Sequence, residues 1–272
     1  MLYKELLLKD IDPRLSNVEG SLRIYVPERN ELVSLKPGLL ICPGGGYSFC
    51  SPREAEPIAF RFMSEGFACF VLVYSLNKKY PAPHIDLAIA VDYIRKHEKE
   101  FDLIPNSLSI IGFSAGGHLV ASYAYQYESL ARELSLDPEI LRPMAIVLGY
   151  PVTLTSSATH GGTRDTICGT DKKLLELMNV PTHVTKDYPP TFVWTTRDDD
   201  CVPYLNTIEL EEALKKNHVL YKSVIYDSGM HGGSLVNRSC YLKENISEKM
   251  KEIRDWASLA ADFLFDIVDK KH

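Results

Sequence analysis

Gly112-Phe113-Ser114-Ala115-Gly116 joins an apolar stretch, Leu108 to Phe113, to a run of small residues from Ala115 to Ala124. The stretch reads as a strand and the run as the start of a helix. The pentapeptide is therefore a strand–turn–helix junction with a serine at its tip. In that setting G-x-S-x-G describes a sharp turn that lifts a serine hydroxyl above the edge of a sheet. Its glycines leave room for a strained backbone and for close packing of helix on strand. Five residues with two glycines also arise by chance, so the reading depends on the rest of the chain.

Upstream, Leu39 to Cys42 reads as a buried strand that ends in Pro43-Gly44-Gly45-Gly46-Tyr47. Three glycines after a strand make a loop whose backbone N–H groups can approach a ligand closely. Beside a serine elbow, such N–H groups and that of the residue after the serine, here Ala115, form an oxyanion hole. The competing reading is a plain tight turn. A phosphate loop fits less well, because no Lys-Ser or Lys-Thr follows the glycines and their spacing matches neither the nucleotide loop nor the dinucleotide fingerprint.

Downstream, Thr191 to Thr196 reads as a central strand running into Arg197-Asp198-Asp199-Asp200-Cys201-Val202-Pro203. Leu220 to Tyr226 reads as another, followed by Asp227-Ser228-Gly229-Met230-His231-Gly232-Gly233. The order is serine, aspartate, histidine, each just past the C-terminal end of a strand. That order belongs to the α/β-hydrolase arrangement. Strand C-termini of a parallel sheet share one edge, so residues far apart in sequence meet there. Ser114 would attack, His231 would take and return the proton, and an aspartate would hold the imidazole. Losing one oxyanion donor typically costs about 3 kcal/mol in the barrier. Three consecutive aspartates leave the choice of acid open, and a cation site is their other reading.

The 272 residues are 45% hydrophobic, enough for one large α/β domain with a covered sheet. Thirty basic against 36 acidic residues give a net charge of −6 and no basic patch, which disfavours nucleic acid and anionic membranes. Charges interrupt the leucines of residues 1–10, so no signal peptide is read there, and no segment is apolar enough to span a bilayer. Six scattered cysteines with no C-x-x-C read as free thiols of a reducing cytoplasm.

Along the chain, Leu22 to Pro27 alternates like a half-exposed strand, Glu54 to Glu65 reads as a helix, and Phe67 to Tyr74 as a buried strand. A helix follows from about His84 to Glu98, then the serine junction, then a strand from Met144 to Leu148. Thr153 to Pro190 is a long polar insertion with one helical piece, Lys172 to Leu177. Its length and place predict a lid over the pocket, against a disordered excursion. Ile208 to Lys216 reads as a helix, and apolar spacing predicts another from Ile246 to Val268. The whole predicts a mostly parallel sheet with helices on both faces.

Tyr47, Tyr74 and Tyr150 end strands near the expected site. Tyr47 and Tyr150 are candidates for substrate contact, against core packing with a wet hydroxyl. His118 lies one helical turn past Ser114 and reads as a packing residue, while His160 and His183 sit in the insertion within reach of a substrate. None of the histidines has metal-ligand spacing.

These residues together resemble the acetyl-xylan-esterase and feruloyl-esterase-like branch of the α/β-hydrolases. The likeness is carried by Pro43-Gly44-Gly45-Gly46-Tyr47, Arg53-Glu54-Ala55-Glu56-Pro57-Ile58-Ala59, Tyr74-Ser75 and Gly112 to Leu119. Pro189-Pro190-Thr191-Phe192-Val193-Trp194, Asp199 before Val202-Pro203, and His231-Gly232 with Leu235 complete it. It covers about residues 20 to 265. The resemblance implies Asp199 as the acid, from its spacing to Val-Pro, and Gly45, Gly46 and Ala115 as oxyanion donors. It also implies a serine esterase acting on short acyl groups, with an acetylated saccharide as substrate and with no metal or cofactor. The chain departs in having Thr195 where related sequences often carry histidine. An amide hydrolase with the same triad, and a non-catalytic binding protein, are the competing classes. Fold alone does not choose among them. A homodimer would use a free sheet edge or helix face, and no motif marks one.

Overall fold

Short apolar runs separated by glycine, proline and polar turns form eight strands in this computed structural model, which describes residues 1–15, 19–156 and 159–271. They are β1 (Leu2–Leu7), β2 (Ser21–Val26), β3 (Gly38–Cys42), β4 (Ala68–Val73), β5 (Ser109–Phe113), β6 (Ile146–Gly149), β7 (Thr191–Thr196) and β8 (Tyr221–Tyr226). The helices are α1 (Leu8–Ile11), α2 (Glu56–Met63), α3 (Ala82–Lys96), α4 (Ala115–Leu134) and α5 (Pro138–Leu141), then α6 (Gly161–Ile167), α7 (Lys172–Leu177), α8 (Leu205–Lys216) and α9 (Trp256–Lys271). All eight strands join one sheet in the order β1-β2-β4-β3-β5-β6-β7-β8. The pairs β1–β2 and β2–β4 are antiparallel, and from β4 to β8 every neighbour is parallel. This is the fold expected of an α/β-hydrolase, a mostly parallel sheet between helices.

Side-chain alternation along the strands divides the core in two. Leu40, Ile110, Ile146 and Leu148 face α3, α4 and α8. Leu39, Ile41, Ile111 and Val147 face α2 and α9. Helices cover both faces, which is why the central strands read as unbroken apolar runs. Trp256 opens α9 fully buried, its ring stacked on Trp194 at 5.1 Å and edge-on to Phe113 at 5.6 Å. Its indole N–H donates to the Ser234 carbonyl at 2.8 Å, so the same side chain ties the loop after β8 to the sheet. Burying one such ring contributes about 2–3 kcal/mol.

Several sequence expectations are corrected. β2 is largely buried rather than half-exposed, because β1 covers its outer edge. β1 itself was not legible: Leu2 and Leu6 are only partly buried and alternate with exposed Tyr3, Glu5 and Leu7. The expected helix from Glu54 begins instead as a 3-10 turn, Pro52–Glu54, because Pro57 fits only the first turn of a following helix. α4 continues past Ala124 to Leu134. The expected C-terminal helix starts at Trp256, and Met250 and Ile253 are buried from a preceding 3-10 stretch, Lys249–Asp255. The insertion holds two α-helices, α6 and α7, where one was expected, since Gly161 and Gly162 hide the start of α6. Among the described residues no helix is long and apolar enough to cross a membrane, and all six cysteines are unpaired.

The junction between β5 and α4 depends on the absence of a side chain at Gly116. A Cβ there would lie 2.2 Å from the Cys42 carbonyl oxygen and 2.4 Å from that of Pro43, both backbone atoms of the neighbouring strand end. Gly116→Ala is therefore expected to destabilise the fold by about 2–4 kcal/mol. Urea unfolding measures this. A change below about 1 kcal/mol would mean that helix and strand separate freely.

Candidate active site

β5 delivers Ser114 in a backbone conformation that a serine rarely adopts, φ 51° and ψ −117°. Three backbone bonds hold it there. The Ser114 N–H donates to Gly149 O at 2.9 Å, while Ser114 O accepts from His118 N at 3.0 Å and Val152 N at 3.2 Å. The strain is thus locked between the start of α4 and the segment after β6, and the hydroxyl stands at the carboxyl edge of the sheet.

His231 reaches that hydroxyl from the loop after β8, with its Nε2 2.8 Å from Ser114 Oγ. Its Nδ1 lies 2.8 Å from Asp199 Oδ2, and the Asp199 side chain is buried. Asp199 Oδ1 accepts from the N–H groups of Cys201 at 2.9 Å and Val202 at 2.8 Å. A carboxylate accepting on both oxygens makes Nδ1 the protonated nitrogen, leaving Nε2 to accept from the serine.

Asp198, the other acid left open, is exposed and turned away. It accepts from Ser228 Oγ and Gly229 N, each at 2.6 Å, and these bonds hold its carboxyl below the usual carboxylate range. Its structural task is to close the turn that leads to His231. Asp200 is exposed. Among the described residues no group of three or more His, Cys, Asp or Glu side chains has the arrangement of a metal site, so the cation reading of the aspartates gains nothing.

The glycine loop wraps the same point. Gly45 and Gly46 have φ of 132° and 63°, conformations that favour glycine, and a Cβ on Gly45 would lie 2.0 Å from Phe49 O. Among the described residues, no partner within the chain takes the N–H groups of Gly45, Gly46 or Ala115. Gly44 differs: its N–H donates to Glu54 Oε2 at 2.8 Å. Gly45, Gly46, Phe49, Ser114, His160 and His231 are among the walls of a cavity of about 360 Å³. Clefts of about 450 and 470 Å³ lie elsewhere, and neither contains the serine or its histidine.

The tyrosines do not go where the sequence suggested. Neither Tyr47 nor Tyr150 lines the cavity; both are buried and their hydroxyls bind protein groups. Tyr47 OH meets His118 Nδ1 at 2.9 Å, and Tyr150 OH donates to Glu54 Oε1 at 2.6 Å. Tyr74 OH donates to Pro43 O at 2.7 Å. They brace the edge, and their expected contact with substrate is replaced by that role. His118 is a packing residue, its Nε2 donating to Met178 O at 3.0 Å. Of the insertion's histidines, His160 lines the cavity, whereas His183 stacks on Tyr125 at 4.7 Å and bonds Glu176 O. Sequence reasoning passed over Phe49, Arg53, Glu54, Thr166 and Cys201 as wall residues. Arg53 and Glu54 lie in the Arg53–Ala59 segment that carries the family resemblance, and Cys201 lies beside the aspartates, but none of the three had a role assigned.

The sequence profile described as BD-FAE matches residues 22–214, well over half of the chain. The chain belongs to the BD-FAE family. Among its relatives, it is 31% identical over 211 residues to endo-1,4-beta-xylanase B of Butyrivibrio fibrisolvens, a match covering 73% of this chain and 33% of that protein. It is 30% identical over 208 residues to an acetylxylan esterase of Xylanibacter ruminicola, covering 70% of this chain and 39% of that protein. The chain thus spans about a third to two-fifths of the length of these curated relatives. The BD-FAE chain also superimposes on the carboxylesterase Cest-2923 of Lactobacillus plantarum WCFS1 with TM-score 0.85 and 28% identity, covering 98% of each chain.

One electrostatic consequence of this packing is testable. Burial lowers the His118 imidazole from 6.5 to about 4, and burial lowers His84, also fully enclosed, in the same direction. Below pH 6.5 the unfolded chain takes up protons that the folded chain refuses, so stability falls as pH drops from about 6.5 to about 4. For His118 the loss is about 3 kcal/mol by the end of that window. Urea unfolding of wild type and His118→Asn across pH 7 to 4 should give a shallower slope in the variant. Equal slopes would remove His118 from the acid response.

Proposed function

We propose that this chain is a serine carboxylesterase that cleaves short acyl esters through an acyl-enzyme intermediate. One observation carries the reading. Ser114 Oγ, His231 and Asp199 form a continuous pair of 2.8 Å contacts beside the Gly45, Gly46 and Ala115 amides, which have no partner among the described residues. A named relative, the acetylxylan esterase, and a structural neighbour, the carboxylesterase, support it.

The steps follow from the geometry. His231 Nε2 takes the proton as Ser114 Oγ attacks the ester carbonyl, and Asp199 steadies the imidazolium. The carbonyl oxygen gains negative charge within reach of the Gly45, Gly46 and Ala115 N–H groups. His231 then passes its proton to the departing alcohol, and a water repeats the sequence to free the acid.

The cavity supports a small acyl group on a polar alcohol. It is modest in volume, and Ser48, Arg53 and Thr166 line it alongside the half-exposed ring of Phe49. An aromatic ring at the rim suits the apolar face of a sugar, and the similarity to an acetylxylan esterase points the same way. The acetylated saccharide is therefore the preferred substrate class. The insertion supplies His160, Gly162 and Thr166 to the wall, which fits a covering role for residues 153–190. Unpaired cysteines fit a reducing compartment and so a cytoplasmic location.

Ser114→Ala is expected to abolish turnover of p-nitrophenyl acetate, and near-wild-type turnover would remove the serine from the chemistry. Asp199→Asn should lower kcat by about 10³-fold or more, because the asparagine stabilises the wrong imidazole tautomer. Asp198→Asn should lower it by less than about tenfold, since a turn closed by two bonds is weakened but the acid is kept. The reverse ranking of the two aspartate variants would transfer the acid to Asp198.

A further inference from the structure

Glu54 is a carboxylate shut inside the protein, 3% exposed, at the back of the cavity that holds Ser114. A buried carboxylate is costly unless its lone pairs are filled. Both oxygens of Glu54 are filled, each from a different loop. Oε2 accepts the Gly44 N–H at 2.8 Å, and Oε1 accepts the Tyr150 hydroxyl at 2.6 Å. Tyr150 OH in turn accepts the Ser234 N–H at 3.2 Å. The hydroxyl thus accepts from the Ser234 N–H and donates to Glu54, and Glu54 acts as acceptor on both sides. Burial pushes the carboxyl upward in pKa, while the Tyr150 hydroxyl, the Gly44 amide, His231 and Arg53 oppose the rise.

The bridge Gly44–Glu54–Tyr150–Ser234 joins three loops at the carboxyl edge. Gly44 precedes the two glycines whose amides have no partner among the described residues, Tyr150 follows β6, and Ser234 lies three residues beyond His231. The Tyr150 ring meets the His231 ring edge-on at 5.0 Å. The fit is tight at the other end too, where a Cβ on Gly44 would lie 2.8 Å from Glu54 Oε2 and 3.0 Å from Ser114 Cβ. We infer that Glu54 is a positioning residue that sets the Gly45 and Gly46 amides and the His231 loop in one register around Ser114. It touches no reacting atom; it acts through Gly44 and Tyr150. A loop held this way matters most when charge develops on the carbonyl oxygen, so Glu54 acts on the transition state more than on substrate binding. This rests on the serine-esterase reading above.

Glu54→Gln keeps the shape but turns one acceptor into a donor, so either Gly44 or Tyr150 faces an N–H. Tyr150→Phe keeps the ring and its packing and cuts the bridge in the middle. With p-nitrophenyl acetate, Glu54→Gln should lower kcat about 10²-fold and Tyr150→Phe about tenfold, with KM within about threefold. Affinity for a methyl trifluoromethyl ketone, which mimics the tetrahedral intermediate, should weaken by matching factors. A folded Glu54→Gln with unchanged kcat, or with a raised KM alone, would overturn the inference. Where Glu54→Gln does not fold, Tyr150→Phe decides it by the same criteria. Wild-type labelling by a fluorophosphonate, and its loss in Ser114→Ala, reports separately on the esterase reading.

Discussion

The backbone of Ser114 is the constraint around which the sheet edge is organised. Its positive φ removes the serine from both strand and helix, and neither ladder alone would keep it there. Bonds to Gly149 O, His118 N and Val152 N over-determine the residue, so the hydroxyl direction is set by the main chain. Close passage of Gly116 against the Cys42 and Pro43 carbonyls then fixes where α4 and the glycine loop meet. Each further group at the site is positioned relative to a point that the fold has already made rigid.

That rigidity propagates through large side chains. Trp256 packs on Trp194 and Phe113 while bonding Ser234, so β5, β7 and the loop after β8 share one anchor. Tyr150 packs on Trp194 at 4.9 Å and on His231 at 5.0 Å. The imidazole therefore lies against a wall whose far side is the hydrophobic core. An apolar wall of this kind excludes water from one face of the histidine, which strengthens the bonds it makes with Asp199 and Ser114.

The strands of the parallel sheet and the serine junction were legible because they depend on local pattern. Unbroken apolar runs followed by glycine, as at Ile110–Gly112 and Leu39–Gly46, register burial on both faces directly. The order serine, aspartate, histidine was legible for a topological reason, since parallel strands end on one edge, whereas the choice of Asp199 among three aspartates rested on the family resemblance. What escaped had its cause far away in sequence. β1 is a strand because β2 needs an edge partner, and nothing in Leu2 to Leu7 announces that. Tyr47 and Tyr150 look like pocket residues from their strand-end positions, yet His118 and Glu54 claim their hydroxyls. Glu54 itself meets Tyr150 across 96 residues of chain, a pairing that no spacing rule exposes.

Two buried carboxylates lie at the site, one bonded to the imidazole and one behind the tyrosine that packs on it, and their partners separate what each can do. Asp199 accepts from two backbone amides and from His231, whose charge changes during the proposed reaction. Its interaction therefore strengthens as the imidazolium forms, which is the differential term that lowers a barrier. Glu54 accepts from a backbone amide and a phenol, both neutral throughout. Its bonds hold nearly constant while charge moves, so its contribution lies in geometry fixed before substrate arrives. In the proposed reaction one carboxylate answers the chemistry, and the other keeps the donors aimed where that chemistry would occur.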